Sequence, residues 1–366
     1  MIIGVDAREF TGTGKTGIGR YLENLLAPLV RKGDNAFVLF TGRAESIPPS
    51  LVAPSVKIVP LPSLPAIVLD EAVLPALARR ENIDLFFSPY YKIPLSGPFK
   101  RIITVHDIMF LRRNDLSRLA RAAVGRRLLA SGRRADIVLV DSDFTGGDLA
   151  LFAPGLRPKI QRLYPDLAAA WLEPVDVASI AAARKRFALD GPLLLYTGNF
   201  KPHKNVDSLV EAFARIDGNK PRLVLAGGDE RNSLRIEKLI RDRGLAARAT
   251  VIRDINDEVL RALYAAADWF ITASEYEGFG YPALEAMASG CPVICRTCTS
   301  LPEVVGKAAV EIKTPGAEGI TEALRRAFAM PAAEKAGRAA SGRERAEMFA
   351  PGSAAAGFAR ILGAIG

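Results

Sequence analysis

The residue types able to do bond-making chemistry are gathered in four short clusters, each just after an apolar run. The densest is Glu275-Tyr-Glu277-Gly278-Phe279-Gly280-Tyr281-Pro282, followed by Glu285 and closed by Ser289-Gly290. Pro282 suits the first position of a helix and Gly290 its stop, so Glu277 lies in the loop and Glu285 inside the helix. Gly278 and Gly280 free the backbone beside the helix N-terminus. The cluster can offer carboxylates to sugar hydroxyls and amides to a phosphate. A second cluster, Tyr196-Thr-Gly-Asn199-Phe-Lys201-Pro-His203-Lys204-Asn205, holds two lysines and one of the two histidines of the chain. Cations there suit a diphosphate; a basic surface loop is the plain alternative. A third, Thr104-Val-His106-Asp107, ends another apolar run. Its histidine either exchanges a hydrogen bond near a reacting centre or caps a loop.

The fourth runs from Asp6 to Arg20 and is rich in glycine, including Gly17 and Gly19. Glycines ahead of a helix let the backbone approach an anion. Gly14-Lys15-Thr16 suggests a P-loop, but the first glycine of that pattern would fall at Glu9, so the pattern fails. The three cysteines, Cys291, Cys295 and Cys298, do not read as metal ligands. Pro292–Cys295 reads as a buried strand, and a structural zinc needs a fourth ligand. No convincing Asp-x-Asp or histidine cluster is present either, so no metal site is expected.

These clusters need elements to position them. Strand-like runs at Ile2–Val5, Phe37–Thr41, Val56–Val59, Leu85–Ser88, Ile102–Val105 and Ile137–Val140 alternate with helical segments such as Ile18–Arg31 and Ser117–Arg134. A second series follows at Leu193–Thr197, Leu223–Ala226, Thr250–Ile252, Trp269–Ala273, Pro292–Cys295 and Ala308–Ile312. Such alternation predicts α/β architecture with parallel, doubly wound sheets. Two Rossmann-like domains facing across a cleft are expected: residues 1–170, residues 171–345, and a C-terminal helical segment, 346–366, packing back on the first. Ligands of such sheets sit beyond the carboxyl ends of the strands, where all four clusters fall.

With 366 residues, 49% hydrophobic and 24% charged, the chain is neither disordered nor fibrous. No apolar stretch reaches the length of a membrane span. The start, Met1 to Asp6, reads as a strand and not a signal peptide. Unpaired cysteine usage points to a reducing, cytoplasmic setting. Lys and Arg outnumber Asp and Glu by 49 to 40, which favours anionic partners. Between Arg112 and Arg134 stand eight arginines and one acid, Asp115, interleaved with Leu116, Leu119, Val124, Leu128 and Leu129. The spacing predicts amphipathic helix, either packed with a solvated basic face or docked on an anionic membrane.

Together the motifs resemble the retaining glycosyltransferases of family 4, of GT-B fold. Glu277-x7-Glu285, then Met-Ala-Ser-Gly-Cys-Pro-Val-Ile and Ser300-Leu-Pro-Glu-Val-Val, are similar to that family's signature. So are Gly4-Val-Asp-Ala-Arg8, Thr16-Gly-Ile-Gly-Arg-Tyr21, Val105-His-Asp107, Ala135–Ser142, Leu195–Asn199 and Pro202–Asn205. The resemblance implies that Glu285 holds the nucleotide ribose hydroxyls and Glu277 the hydroxyls of the donor sugar. The amides of Gly278, Phe279 and Gly280 would lie near sugar and phosphate. It assigns Lys204 to the donor diphosphate, Gly17 and Gly19 to the same group, and His106 to the donor sugar and reaction centre. Many members carry Arg where this chain has Asn199, so Lys201 or His203 would supply any second cation. Arg253 falls where base contacts are expected.

The resemblance therefore implies a metal-independent retaining hexosyltransferase without a cofactor. It would move a mannose-like sugar from a nucleoside diphosphate, GDP by analogy, to a lipid-linked or lipopolysaccharide glycan. Cytoplasmic location with peripheral contact to the anionic inner membrane, and no nucleic-acid partner, complete the expectation. A non-catalytic nucleotide-sugar-binding protein on the same fold and a P-loop NTPase are the alternatives.

Overall fold

The computed structural model describes residues 1–11, 16–112, 117–216 and 221–365. They form two compact units: residues 1–166 with 351–366, and residues 167–350. In the first, seven parallel strands stand in the order β3-β2-β1-β4-β5-β6-β7. These are β1 (Ile2–Asp6), β2 (Ala36–Thr41), β3 (Val56–Pro60), β4 (Leu85–Ser88), β5 (Lys100–Val105), β6 (Ile137–Val140) and β7 (Ile160–Arg162). In the second, six parallel strands stand in the order β10-β9-β8-β11-β12-β13. They are β8 (Leu193–Thr197), β9 (Arg222–Ala226), β10 (Ala249–Ile252), β11 (Trp269–Thr272), β12 (Val293–Cys295) and β13 (Val310–Glu311).

Strands buried on both faces read as continuous apolar runs, which is why they were visible in the sequence. Alternation along them feeds two cores. Phe87 joins Ile3, Val5 and Leu39 on one face, whereas its neighbour Phe86 joins Val38, Phe40 and Ile103 on the other. Strand β7 escaped the sequence reading. It has three residues, two of them exposed, and takes its strand character from pairing with β6.

The unit boundaries differ from those expected at 170/171 and 345/346. The first change comes at 166/167, because Trp171 is buried against the edge of the Tyr264 ring, 5.7 Å between centroids. The second comes at 350/351, because Ala346 and Phe349 are buried in the second unit, Phe349 against Phe279. The final helix, Ser353–Ile365, belongs to the first unit. Its N-terminus is capped by the Asp166 carboxylate, which accepts 2.8 Å hydrogen bonds from the Gly352 and Ala354 amides. Phe358 packs on Phe87 at 4.9 Å. Gly357 lies so close to Leu163 that a Cβ would fall 2.7 Å from its Cδ1.

The arginine-rich helix runs Arg118–Arg134, capped by Ser117. It packs through Leu128 and two glycines, Gly125 beside Leu111 and Phe152, and Gly132 beside Leu156. Leu119, expected on the apolar face, points outward and is 82% exposed. Small contact residues, not the leucine periodicity, decide which face turns inward. Leu116, Arg113 and Asp115 lie outside the described residues. Two of the arginines are structural: Arg112 pairs with Asp148, and Arg127 with Glu71 and the Ile93 carbonyl.

Because Phe358 is fully buried, Phe358→Ala should destabilise the chain by about 3–5 kcal/mol, the usual cost of an aromatic cavity. Guanidinium denaturation of the two proteins would measure it, and a change under 1 kcal/mol would mean that the helix does not pack as described.

Candidate functional site

In the second unit, strands β8, β11 and β12 are neighbours, so the loops at their carboxyl ends lie side by side. The loop after β8 leaves through Gly198, whose φ of 137° suits glycine. It closes in a tight turn at Pro202–Lys204 that ends on Asn205 in the left-handed region. That turn aims Lys204 at the loop after β11. Lys204 Nζ donates to both carboxylate oxygens of Glu277, at 2.7 and 2.8 Å. Both side chains are mostly buried. A backbone bond joins the same loops, from the Glu275 amide to the His203 carbonyl at 2.9 Å. The loop after β12 completes the arrangement. The Glu277 amide donates to Thr299 Oγ1 at 3.1 Å, and Ser300 Oγ lies 2.9 Å from both the Glu277 and Phe279 carbonyls.

The helix Tyr281–Ala288 begins after Gly280, which holds φ 110° and whose Cβ would strike Leu301. Glu285 lies inside this helix and is buried. It accepts a 3.2 Å hydrogen bond from the Tyr264 hydroxyl, which lies 2.5 Å from Thr197 Oγ1 at the end of β8. Burial, then the Glu285 charge, hold the Tyr264 phenol well above its ordinary pKa, so it stays a neutral donor. Burial and the Glu277 charge do the same to Tyr196, whose hydroxyl donates to the Asn199 carbonyl.

The remaining expected residues divide. Asn199 and Lys201 stand exposed on the loop after β8, with the Asn199 side chain accepting from the Lys201 amide. His203 is buried, so it does not present the surface cation anticipated for it; a close-packed turn carries its ring inward. Arg253 is exposed just past β10, two strands from β8, and makes no hydrogen bond or ion pair with Lys204, Glu277 or Glu285. Among the described residues no group of three or more His, Cys, Asp or Glu is placed to hold a metal. Cys291 and Cys295 are buried, and burial raises their thiol pKa.

In the first unit, Glu9 accepts from the Thr16 and Tyr90 hydroxyls. Thr16 in turn caps the helix Gly17–Lys32 through the Gly19 amide at 3.0 Å. The amide of Gly19 is thus already occupied, whereas Gly17 has nothing within 4 Å of a would-be Cβ. Gly14 and Lys15 of the P-loop reading lie outside the described residues. His106 follows β5. Its Nε2 lies 3.0 Å from the Pro89 carbonyl and its Nδ1 2.6 Å from Asp141. A carbonyl can only accept, so Nε2 carries a proton. Burial opposes charging of the ring, but the adjacent Asp141 carboxylate and the two hydrogen bonds outweigh it, and the pKa is raised. Both ring nitrogens are thus engaged, Nε2 with the Pro89 carbonyl and Nδ1 with the Asp141 carboxylate. Tyr21 meets it edge-on at 4.9 Å. The roles of Asp141, Thr299, Ser300 and Tyr264 left no separate mark in the sequence, since each acts through a contact distant along the chain.

Comparison with known proteins agrees with both halves. Residues 15–165 match the family model Glycosyltransferase Family 4, and residues 180–343 match Glycosyl transferases group 1. The chain is 38% identical over 117 residues to the O-antigen chain mannosyltransferase B of Escherichia coli, covering 31% of each protein. It thus spans about a third of that relative's length. A longer match, 28% identical over 341 residues, is to a D-inositol 3-phosphate glycosyltransferase of Acidothermus cellulolyticus, with 81% of this chain and 74% of that one covered. Among solved structures, Anabaena HepE in complex with UDP-glucose superposes with a TM-score of 0.80 at 16% identity, over 99% of both chains. That likeness carries the fold: two parallel-sheet, Rossmann-like domains of the GT-B type.

The His106 geometry has a measurable consequence. Its pKa is raised above the ordinary 6.5, so its contribution to stability is complete below about pH 6.5 and is lost as pH rises through the folded value. NMR titration of the two imidazoles, assigned with His203→Asn, should show one resonance titrating above 6.5. Removal of the pH dependence of unfolding in this window by His106→Gln would be the matching result; titration at or below 6.5 would overturn the upward shift.

Proposed function

The chain belongs to the group 1 and family 4 glycosyltransferases, and from that premise we propose that it moves a mannose-like hexose from a GDP sugar to a glycan acceptor with retention of configuration. The observation that carries the reading is the buried Lys204–Glu277 pair, formed between the loops that follow the adjacent strands β8 and β11. Breaking the glycosyl–phosphate bond leaves negative charge on the departing nucleoside diphosphate. A lysine already oriented, together with amides of the Gly278–Gly280 loop, stabilises that charge more in the transition state than in the ground state. Glu277 takes hydroxyls of the donor sugar, Glu285 those of the ribose. Lys201 is the candidate second cation, since His203 is buried. The departing phosphate takes the acceptor's proton, so the reaction needs neither a protein nucleophile nor a metal or other cofactor.

The mannose assignment draws on the relative named a mannosyltransferase. For the acceptor, a lipid-linked or lipopolysaccharide glycan is proposed, with the enzyme peripheral to an anionic membrane on its cytoplasmic side. No described helix is long and apolar enough to cross a membrane. Support for peripheral contact comes from exposed Leu119, Arg118 and Arg126 on one helix, with half-exposed Phe152 against that helix at Gly125. A juxtamembrane cation is worth about 1 kcal/mol, so several suffice for reversible docking.

Lys204→Ala should lower release of GDP from GDP-mannose by about 100-fold or more, and Glu285→Ala should weaken GDP-mannose binding by about 1.5–3 kcal/mol; calorimetry and a coupled assay would read both. Binding without turnover in the wild type would instead favour a nucleotide-sugar-binding protein. Turnover should persist in EDTA, and its loss there with recovery in manganese would contradict the metal-free scheme. The protein should sediment with anionic liposomes at low salt and leave them at high salt. Equal partitioning to neutral liposomes would return the arginine face to solvent.

A further inference from the structure

Thr299 is strained. Its φ is +55°, in the left-handed region where a β-branched side chain is an outlier. Glycine would occupy that conformation freely, and such strain persists where the surroundings over-determine it. Here the hydroxyl meets the backbone of Glu277, on the loop after β11. Thr299 Oγ1 accepts from the Glu277 amide at 3.1 Å, and the next residue, Ser300, fully buried, lies 2.9 Å from the Glu277 carbonyl. The backbone of Glu277 is therefore held on its N–H side and on its C=O side by consecutive hydroxyls from another loop. The carboxylate it carries meets Lys204 through both oxygens.

We propose that Thr299 is a positioning residue of the donor site: its hydroxyl fixes the Glu277 backbone so that the carboxylate stays on Lys204. This rests on the donor-site reading above. The strained backbone aims the hydroxyl, and the hydroxyl is what a glycine there would lack. Thr299 touches neither donor nor acceptor in this scheme. It acts through Glu277, and through Glu277 on Lys204.

The test compares Thr299→Gly, which relieves the strain and deletes the hydroxyl, with Thr299→Ser, which keeps the hydroxyl. With GDP-mannose as probe, Thr299→Gly should lose about ten- to a hundredfold in kcat for GDP release, the scale of a small misplacement, with little change in donor KM. Its Tm should hold or rise, since glycine relaxes the left-handed backbone. Thr299→Ser should recover most of the lost kcat. A purely structural role would lower Tm and leave kcat alone. Wild-type kcat in Thr299→Gly, or no recovery in a folded Thr299→Ser, overturns the proposal. Should the wild type release no GDP, the donor reading fails, and the positioning role is decided by denaturation instead. Midpoint shifts of Thr299→Gly and Lys204→Met that fail to add in the double variant support it, because groups linked through one partner couple. Additive shifts overturn it.

Discussion

Lys204 and Glu277 are both largely withdrawn from water, and neither charge can stay there alone. Removing one member of such a pair commonly costs about 3–5 kcal/mol, because the other is left buried and uncompensated. The pair also spans 73 residues of sequence, so it exists only if two strand-end loops are delivered to the same place. Much of the second unit can be read as the means of that delivery. Parallel pairing of β8 with β11 and of β11 with β12 aligns their carboxyl ends. Gly198, Asn205 and Gly280 then take the left-handed conformations that turn each loop back toward its neighbours.

A second layer keeps the pair in register. The His203 carbonyl takes the Glu275 amide, Thr299 the Glu277 amide, and Ser300 sits against two carbonyls of the same loop. Below it, Phe279 packs on Phe349 near the end of the second unit. Glu285 is anchored separately, through Tyr264 and Thr197. The two carboxylates thus differ in kind: one neutralised by a lysine, the other buried in a helix and hydrogen-bonded to a neutral phenol.

The first unit applies the same device differently. His106 lies at the end of β5 and Asp141 just past the end of β6, and parallel pairing of those strands sets them side by side. The outcome is an imidazole held at both ring nitrogens. In both units, parallel strand pairing sets oppositely chargeable side chains side by side.

Much of this was legible from the residues. Apolar runs marked twelve of the thirteen strands among the described residues, most continuously in the central strands covered on both faces, such as β4, β6, β8 and β11. Pro282 and Gly290 bracketed the helix carrying Glu285, since capping is a local property. What stayed hidden was long-range. The pairing of Lys204 with Glu277, the burial of His203, the occupation of both His106 nitrogens and the hold of Thr299 on Glu277 depend on contacts between distant segments. Leu119 shows the same limit: periodicity gave an apolar stripe, but Gly125 and Gly132, by permitting close approach, chose the face that packs. Local sequence determines which elements form and where reactive side chains leave them. Only tertiary packing decides which of those side chains meet, because a contact's energy belongs to both partners and is written in neither segment alone.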